Sequence, residues 1–124
     1  MKRIILLIGF LSLLACNNDD LDVPVIAACN TTNPIEDLAW LKTQVNEIKN
    51  GESDTFKYFY IEIAEYQNQT IFVSNNCCSI CGTVVPIYNC KGEQLGFLGG
   101  EITTDELTNK KTIFRRDDFP CQTN

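Results

Sequence analysis

The chain contains seven cysteines among its 124 residues and no histidine. A chain of this length has room for one core of ordinary size. Seven cysteines are many for so short a chain, and disulfides persist in domains that fold outside the cytoplasm. The absence of histidine removes the commonest general base and the commonest metal ligand. We therefore expect one disulfide-stapled domain with no cofactor and no metal ion.

The overall composition is that of a folded, acidic domain. Hydrophobic residues make up 44% of the chain and charged residues 21%, which does not suit a disordered tail. The formal net charge is -6. Because the phosphates of nucleic acids require clustered lysine and arginine, this charge argues against a nucleic-acid partner.

Residues 1–15 have the organisation of a secretory signal peptide. Lys2 and Arg3 form a short positive region, and an almost entirely apolar run follows from Ile4 to Ala15. This run is too short to cross a bilayer core of about 30 Å as a helix. It ends in Leu-Leu-Ala-Cys, which resembles a bacterial lipobox, whose cysteine is acylated and becomes the new N-terminus. We expect Cys16 to carry a lipid anchor that holds the protein on a membrane.

Residues 16–32 are predicted to be the lipidated cysteine and a flexible tether, because asparagine, aspartate and threonine are frequent in them. The acidic run at 17–22 resembles the export signal that sends some Gram-negative lipoproteins to the outer face of the outer membrane. A solvated linker without a sorting role is the alternative. We expect a location in the cell envelope, in the outer membrane and facing outward, with a single folded domain at residues 33–124.

One helix is predicted between Asn33 and Gly51. Asn33 suits the N-cap, Pro34 suits the first helical position, and the Glu36 carboxylate can reach back to the cap. Gly51 suits the position after the last turn. One apolar stripe, spaced at about 100° per residue, should face a sheet. It consists of Ile35, Leu38, Leu41, Val45 and Ile48.

Four or five short strands are predicted after the helix. Residues 55–65 and 70–74 have strand patterns and are joined by a turn at 66–69. Residues 83–88 and 94–98 form the next two strands, with a type I turn at 89–92. Pro86 argues for an edge position or irregular pairing, and Ile113 and Phe114 suggest a fifth strand. We therefore predict an α+β fold in which one N-terminal helix packs on a small antiparallel meander sheet.

Several short motifs lie along this domain. They are the helix start at 33–42, the pair Cys77-Cys78, the hairpin at 88–92, the pair Gly99-Gly100 and the cysteine beside Phe-Pro near the C-terminus. Together they resemble a family of small bacterial cell-envelope lipoproteins with an uncharacterised domain. The resemblance covers residues 33–121 and implies a helix followed by a meander sheet, with no assigned activity. Gly96 stands where a cysteine is expected, so the resemblance implies no disulfide pairing.

Six cysteines remain once Cys16 is acylated, and an even number outside the cytoplasm predicts disulfides. The candidates are Cys29, Cys77, Cys78, Cys81, Cys90 and Cys121. Their spacing is compatible with many pairings. Since neighbouring side chains point to opposite sides of an extended chain, Cys77 and Cys78 should bond different partners.

Two other chemistries compete with structural disulfides. Cys78-Ser-Ile-Cys81 is a CxxC sequence, as in thiol–disulfide oxidoreductases. In those enzymes the first cysteine begins a helix, whereas residues 82–86 favour a strand. Four thiolates could instead hold a structural zinc ion, but such sites usually have two CxxC pairs and this chain has one. Structural disulfides are the favoured interpretation.

Four aromatic residues are candidates for a surface that binds a saccharide or a protein. They are Trp40, Tyr58, Tyr60 and Tyr66. Trp40 lies about 120° from the centre of the apolar helix stripe, so it is either covered by another segment or exposed. Packing in the core or on a sheet face is the simpler explanation for all four.

These observations predict a membrane-anchored bacterial lipoprotein with a small extracytoplasmic domain that is not an enzyme and acts by binding or as an envelope component. Its partners would be the membrane, through the anchor, and an unidentified protein or saccharide. The alternative is an envelope thiol–disulfide oxidoreductase that uses Cys78 and Cys81. No paired-carboxylate, nucleophile-elbow, phosphate-loop or dinucleotide-binding pattern occurs in the sequence.

Overall fold

The structure is a computed structural model that describes residues 27–122. The predicted signal peptide, the predicted acylation site at Cys16 and the tether up to residue 26 lie outside the described residues. Within them, a helix in two parts is followed by a five-stranded antiparallel sheet, and three disulfides join distant or neighbouring segments. The predicted α+β fold is confirmed.

The predicted helix is interrupted after its first turn. Helix α1 spans Pro34–Asp37 and helix α2 spans Ala39–Asn50, with Leu38 between them in an extended conformation (φ -93°, ψ 105°). Ile35 and Leu38 are both half-buried against the core. This apolar contact offsets the interruption of the helical hydrogen bonds.

Both ends of the helical segment differ from the predicted caps. Asn33 occupies the N-cap position, but its side chain makes no capping hydrogen bond. The Asn33 N–H instead donates to the carboxylate of Asp37 (3.4 Å). The Glu36 carboxylate forms an ion pair with Lys42 of α2 (2.7 Å). Gly51 has extended dihedral angles, and the ring of Phe56 lies where its Cβ would be. Glycine is therefore needed here for space.

The five strands lie in the order β4-β3-β2-β1-β5. They are β1 Phe59–Tyr66, β2 Gln69–Asn76, β3 Pro86–Asn89, β4 Gln94–Phe97 and β5 Thr108–Arg115. The first strand starts at residue 59 and not at 55, because residues 54–58 form a 3₁₀ turn. The meander prediction holds for β1 to β4, whereas β5 returns to the far edge and pairs with β1.

Two tight hairpins set the register of the meander. Gln67 and Asn68 join β1 to β2 with positive φ values of 48° and 61°, as a turn that matches strand twist requires. Residues 89–92 form the predicted turn between β3 and β4, closed by a bond from the Gly92 N–H to the Asn89 carbonyl (3.0 Å). The Asn89 side chain accepts two further backbone N–H groups of this turn.

The irregular pairing predicted for Pro86 is present, but the edge position is not. Strand β3 lies between β2 and β4. Pro86 pairs with Phe97 of β4. The pairing between β2 and β3 ends at Val73 and Ile87, so Pro86 has no partner on β2. Proline is tolerated there because residue 86 begins the strand and pairs only with β4, so no N–H is needed for a bond to β2.

The sheet is covered on both faces. On the helix side the core consists of Leu41, Val45, Ile48, Ile61, Ile63, Phe72 and Ile113. On the opposite side it consists of Ala64, Ile71, Val73, Ile87, Ile102 and Leu107. The last two belong to the connection from β4 to β5, which must cross the sheet because these strands are its two edges. A sheet covered by a helix on one face and by a connection on the other follows from this topology.

The domain begins earlier than the predicted boundary at Asn33. Ala28 and Thr31 exchange two backbone hydrogen bonds in a tight turn (3.0 and 2.9 Å). Cys29 in this turn is bonded to Cys90 and packs against the helix side of the core. Residues 28–31, expected to belong to the tether, are therefore attached to the domain.

The C-terminal segment returns to the end of α2. The Arg116 guanidinium donates to the carbonyls of Ile48 (3.4 Å) and Gly51 (3.0 Å), and it pairs with Asp118 (2.8 Å). Carbonyls at a helix end lack partners within the helix, and a cation is favoured beside them. Arg116 thus links the segment after β5 to the helix.

Candidate functional site

The connection between β2 and β3, residues 77–85, forms an exposed loop at one end of the sheet, called here the CxxC loop. The Cys77 N–H donates to a carbonyl of the 3₁₀ turn before β1 (3.1 Å). The Asn76 side chain accepts the Cys78 N–H (2.7 Å), and the Cys81 N–H donates to the Cys78 carbonyl (3.3 Å). These bonds attach the base of the loop to the sheet and close a turn at its tip.

Two of the three disulfides meet in the CxxC loop. Cys77 is bonded to Cys121, and Cys78 is bonded to Cys81. The prediction that neighbouring Cys77 and Cys78 bond different partners is confirmed. All six cysteines that were candidates for disulfides form them.

The tip of the CxxC loop is apolar although it stands in water. Ile80 is 93% exposed and Val84 is 68% exposed. No charged side chain occurs from Tyr66 to Cys90, in a chain of which 21% is charged. Surface loops usually consist of polar and turn-forming residues, so this uncharged loop with exposed branched aliphatic side chains is the candidate functional site.

Two further exposed apolar residues lie on the adjoining edge strand. Leu95 and Phe97 of β4 are 39% and 36% exposed. In the part of the chain that the structure describes, all four exposed large hydrophobic residues therefore come from the segment 80–97. Phe97 lies opposite Pro86, the residue at which the CxxC loop leads into β3.

The N-terminal segment enters the domain at the other end of the sheet. Cys29 is bonded to Cys90 in the β3–β4 turn, and the Cys90 Sγ lies 3.9 Å from the carbonyl of Thr70 at the start of β2. The CxxC loop follows the opposite end of β2, which has eight residues. At about 3.3 Å per residue, the two ends are about 25 Å apart.

Trp40 connects α2 to the β3–β4 hairpin. Its ring meets the ring of Phe72 edge-on (5.3 Å between centroids) and lies 5.6 Å from the ring of Tyr88. The indole N–H donates to the Cys90 carbonyl (3.1 Å). A Cβ on Gly92 would lie 2.6 Å from the indole Cγ. Of the two alternatives for Trp40, coverage by another segment is the one observed.

The other predicted surface aromatics do not join Trp40 on one face. Tyr66 packs against the core on the side of the sheet away from the helix. Tyr60, near the other end of β1, meets the ring of Phe119 edge-on (5.3 Å). Tyr58 lies in the 3₁₀ turn before β1. These four residues are therefore distributed around the sheet and do not form a common platform.

Tyr60 lies in a partly buried contact between β1 and the C-terminal segment. Burial and the nearby Glu62 carboxylate raise the pKa of Tyr60 above its usual value of 10.0, because both disfavour the phenolate. The Glu62 carboxylate in turn accepts a hydrogen bond from the Asn75 amide (2.9 Å). The Tyr60 phenol therefore stays protonated at neutral pH and packs edge-on against Phe119.

Within residues 27–122, no group of three or more histidine, cysteine, aspartate or glutamate side chains is placed to hold a metal ion. All six cysteines there are bonded in pairs, so none is available as a thiolate ligand. The same part of the chain contains no helix long and apolar enough to cross a bilayer.

Sequence reasoning did not identify Ile80 and Val84 as candidate site residues. The strand predicted at 83–88 placed Val84 in the sheet, whereas β3 begins only at Pro86. The signal that could have found both residues is the uncharged run from 66 to 90, in which aliphatic side chains flank Gly82 and the CxxC sequence.

Comparison of the chain with known protein families, curated proteins and solved structures found no match. Its function must therefore be inferred from the residues and contacts of the CxxC loop and from the N-terminal sequence.

Proposed function

We propose that this protein is a lipid-anchored bacterial lipoprotein whose small stapled domain acts by binding in the cell envelope and not as an enzyme. The observation that carries the proposal is the concentration of exposed apolar side chains at the CxxC loop, with Ile80 93% exposed. Keeping such a surface in water is unfavourable unless a partner covers it. The sequence motifs that resemble small envelope lipoproteins support the same proposal.

The sequence before the domain supports anchoring and display. The lipobox-like ending at Cys16 is the acylation site, and the acidic run at 17–22 is the sorting signal for the outer face of the outer membrane. The residues between Cys16 and the domain would form the tether. Three disulfides support a location in an oxidising compartment.

Anchoring is tested on the full chain, expressed with residues 1–15 in a Gram-negative bacterium. We expect the wild type to lose these residues, to gain the mass of acyl chains on Cys16 and to sediment with membranes. Cys16→Ser should stay uncleaved and unacylated. The double variant C78S/C81S is the matched control, because it also lacks cysteines but keeps the anchor. Wild-type protein without acyl chains would contradict the proposal, and protection from protease added to intact cells would contradict surface display.

A second function, thiol–disulfide exchange, is favoured by the bond between Cys78 and Cys81 in an exposed loop. A thiolate of a partner dithiol would attack one sulfur of this bond and form a mixed disulfide. The second partner thiol would then displace the loop cysteine, leaving a disulfide on the partner and two thiols on the loop. One feature opposes this function: no helix begins at Cys78, whereas the first cysteine of a thiol–disulfide oxidoreductase begins a helix.

Glutathione buffers of graded redox potential distinguish the two functions. An oxidoreductase would open the Cys78–Cys81 bond while the other two bonds persist, and it would accelerate oxidation of a reduced dithiol peptide by oxidised glutathione. Cys78→Ser would abolish that acceleration. For the proposed binding domain we expect no acceleration, measured by alkylating free thiols and counting them by mass spectrometry.

A further inference from the structure

We infer that Ile80 is the anchor residue of a protein-docking loop, which enters an apolar pocket of a partner protein while Val84 and the Cys78–Cys81 bond contact the pocket rim. This inference rests on the binding function proposed above, and it names the site and the class of partner.

The CxxC loop is held in shape before it meets a partner. The Cys78–Cys81 bond joins residues only three apart, so it ties no distant parts of the fold together. What it restricts is the conformation of the tip that carries Ile80. The Cys77–Cys121 bond holds the base of the loop in the same way. A loop already restricted in its bound shape loses little conformational freedom on association, which favours affinity.

The side chains of the loop specify an apolar pocket. Ile80 is almost fully exposed, while Cys78 and Cys81, whose bond spans it, are half-buried. A large exposed apolar side chain becomes the anchor of a binding hot spot when a fitted pocket of the partner desolvates it. Because the loop carries no charge, a charged group on the facing surface would be desolvated without a partner.

The position of the loop favours a protein over the membrane. The chain enters the domain at the Cys29–Cys90 bond, about 25 Å from the CxxC loop by the length of β2. An anchored domain thus presents the loop away from its point of attachment. Anionic membrane surfaces attract lysine and arginine, whereas the loop has neither and the chain has a net charge of -6. Saccharides are commonly held on aromatic rings, and the loop has none.

The inference is tested by photo-crosslinking the full lipidated chain in intact cells that produce it. Benzoylphenylalanine is placed at exposed Ser79, which leaves Ile80 unchanged, and at exposed Lys110 of β5 as the matched control. We expect Ser79 to give a discrete adduct with a protein and Lys110 to give background. Mass spectrometry should map the adduct to a pocket of apolar residues. In the Ser79-labelled chain, Ile80→Asp should lower the adduct yield about tenfold or more, and Ile80→Leu by less than about threefold.

The remaining outcomes overturn the inference. These are no adduct from Ser79 above the Lys110 background, an adduct confined to lipid or to a second copy of this chain, and a protein adduct that Ile80→Asp leaves undiminished. Thermal unfolding of the Ile80→Asp variant is the control for folding. Val84→Asp is a second variant, which we expect to lower the adduct yield by a smaller factor. A partner captured at other positions but not at Ser79 would overturn the docking site while leaving the binding function. An intact Ser79 adduct on protein that carries no acyl chains would overturn the proposed anchoring while leaving the docking site.

Discussion

At the scale of single residues, Gly92 shows how one contact joins two elements. The indole of Trp40 lies where a Cβ on Gly92 would be, 2.6 Å from Cγ, and Gly92 has a φ of 80°. An alanine there would meet both a steric clash and an unfavourable backbone conformation. Gly99 has nearly the same φ, 82°, but no atom within 4 Å of its Cβ position. It is therefore a control that isolates the backbone effect.

We expect Gly99→Ala to lower the free energy of unfolding by about 1 kcal/mol and Gly92→Ala by about 2–4 kcal/mol. The difference reports the packing of Trp40 on the turn. Urea unfolding followed by circular dichroism measures both values, and tryptophan fluorescence should change only in Gly92→Ala. Equal losses in the two variants would contradict the contact.

Tyr60 should make the domain sensitive to alkaline pH. Its folded-state pKa is raised above 10.0 by burial and by Glu62, so the unfolded chain loses the phenolic proton first as the pH rises. The contribution of Tyr60 to stability is complete below the unfolded-state pKa of about 10.0 and is lost as the pH rises through the folded-state pKa. In Tyr60→Phe we expect the late component of the phenolate absorbance titration to disappear and the alkaline loss of stability to become shallower. Tyr66→Phe is the control, and persistence of the late component in Tyr60→Phe would show that the assignment is wrong.

At the scale of elements, two carboxylates shape the connection from β4 to β5. Glu101 accepts the Phe97 N–H (3.0 Å), and Glu106 accepts the N–H of Thr103 (2.7 Å) and its hydroxyl (3.0 Å). These bonds lower the pKa of both carboxyl groups, because they stabilise the charged form. They hold the connection in the shape that places its apolar side chains over the sheet.

Acid should weaken this connection. Both folded-state pKa values lie below the ordinary value of 4.5, so the contribution is present above 4.5 and is lost as the pH falls through the folded-state values. We expect the double variant E101Q/E106Q to be less stable near neutral pH and to lose less stability on acidification than the wild type. Urea midpoints measured across this pH range test the expectation. Glu47→Gln, on the exposed side of α2, should behave as the wild type, and a wild-type acid response in the double variant would contradict the role of these bonds.

Element types were predictable from residues close in sequence, but several boundaries were not. The apolar stripe of the helix and the alternation in β1 and β2 predict the correct elements, because both depend on local periodicity. The break at Leu38 accompanies the packing of Leu38 against the core, and the 3₁₀ turn at 54–58 accompanies the packing of Phe56 on Gly51. Periodicity carries no information on such contacts.

At the scale of the whole molecule, the three disulfides have unequal structural roles. Cys29–Cys90 joins residues 61 apart and Cys77–Cys121 joins residues 44 apart, whereas Cys78–Cys81 joins residues 3 apart. Loop-closure entropy assigns about 4 kcal/mol to each long bridge and about 2 kcal/mol to the short one. The short bridge therefore contributes the least of the three to the stability of the fold.

We expect C29S/C90S to lower the free energy of unfolding by about 4 kcal/mol and C78S/C81S by about 2 kcal/mol or less. Urea unfolding without reductant, at one temperature and one pH, measures both. A larger loss in C78S/C81S would mean that the CxxC loop supports the fold and is not a separate docking element.

In the first sixteen residues, a short positive region, an apolar run and a cysteine follow in the order of a lipoprotein signal. Export and acylation stay predictions from this sequence. Helix and strand types, the α+β class and different partners for Cys77 and Cys78 also follow from the chain read alone. These properties depend on backbone periodicity and on the directions of neighbouring side chains, which act over a few residues.

The cysteine pairing, the return of β5 to β1 and the exposure of Ile80 emerged from the folded arrangement. Spacing is compatible with many pairings, and the fold selects three by bringing the paired Cα atoms to 5.6, 6.4 and 5.4 Å. Burial likewise depends on which distant segment covers a residue. The connection from β4 to β5 covers one face of the sheet and α2 covers the other, and neither covers Ile80 at the tip of the CxxC loop.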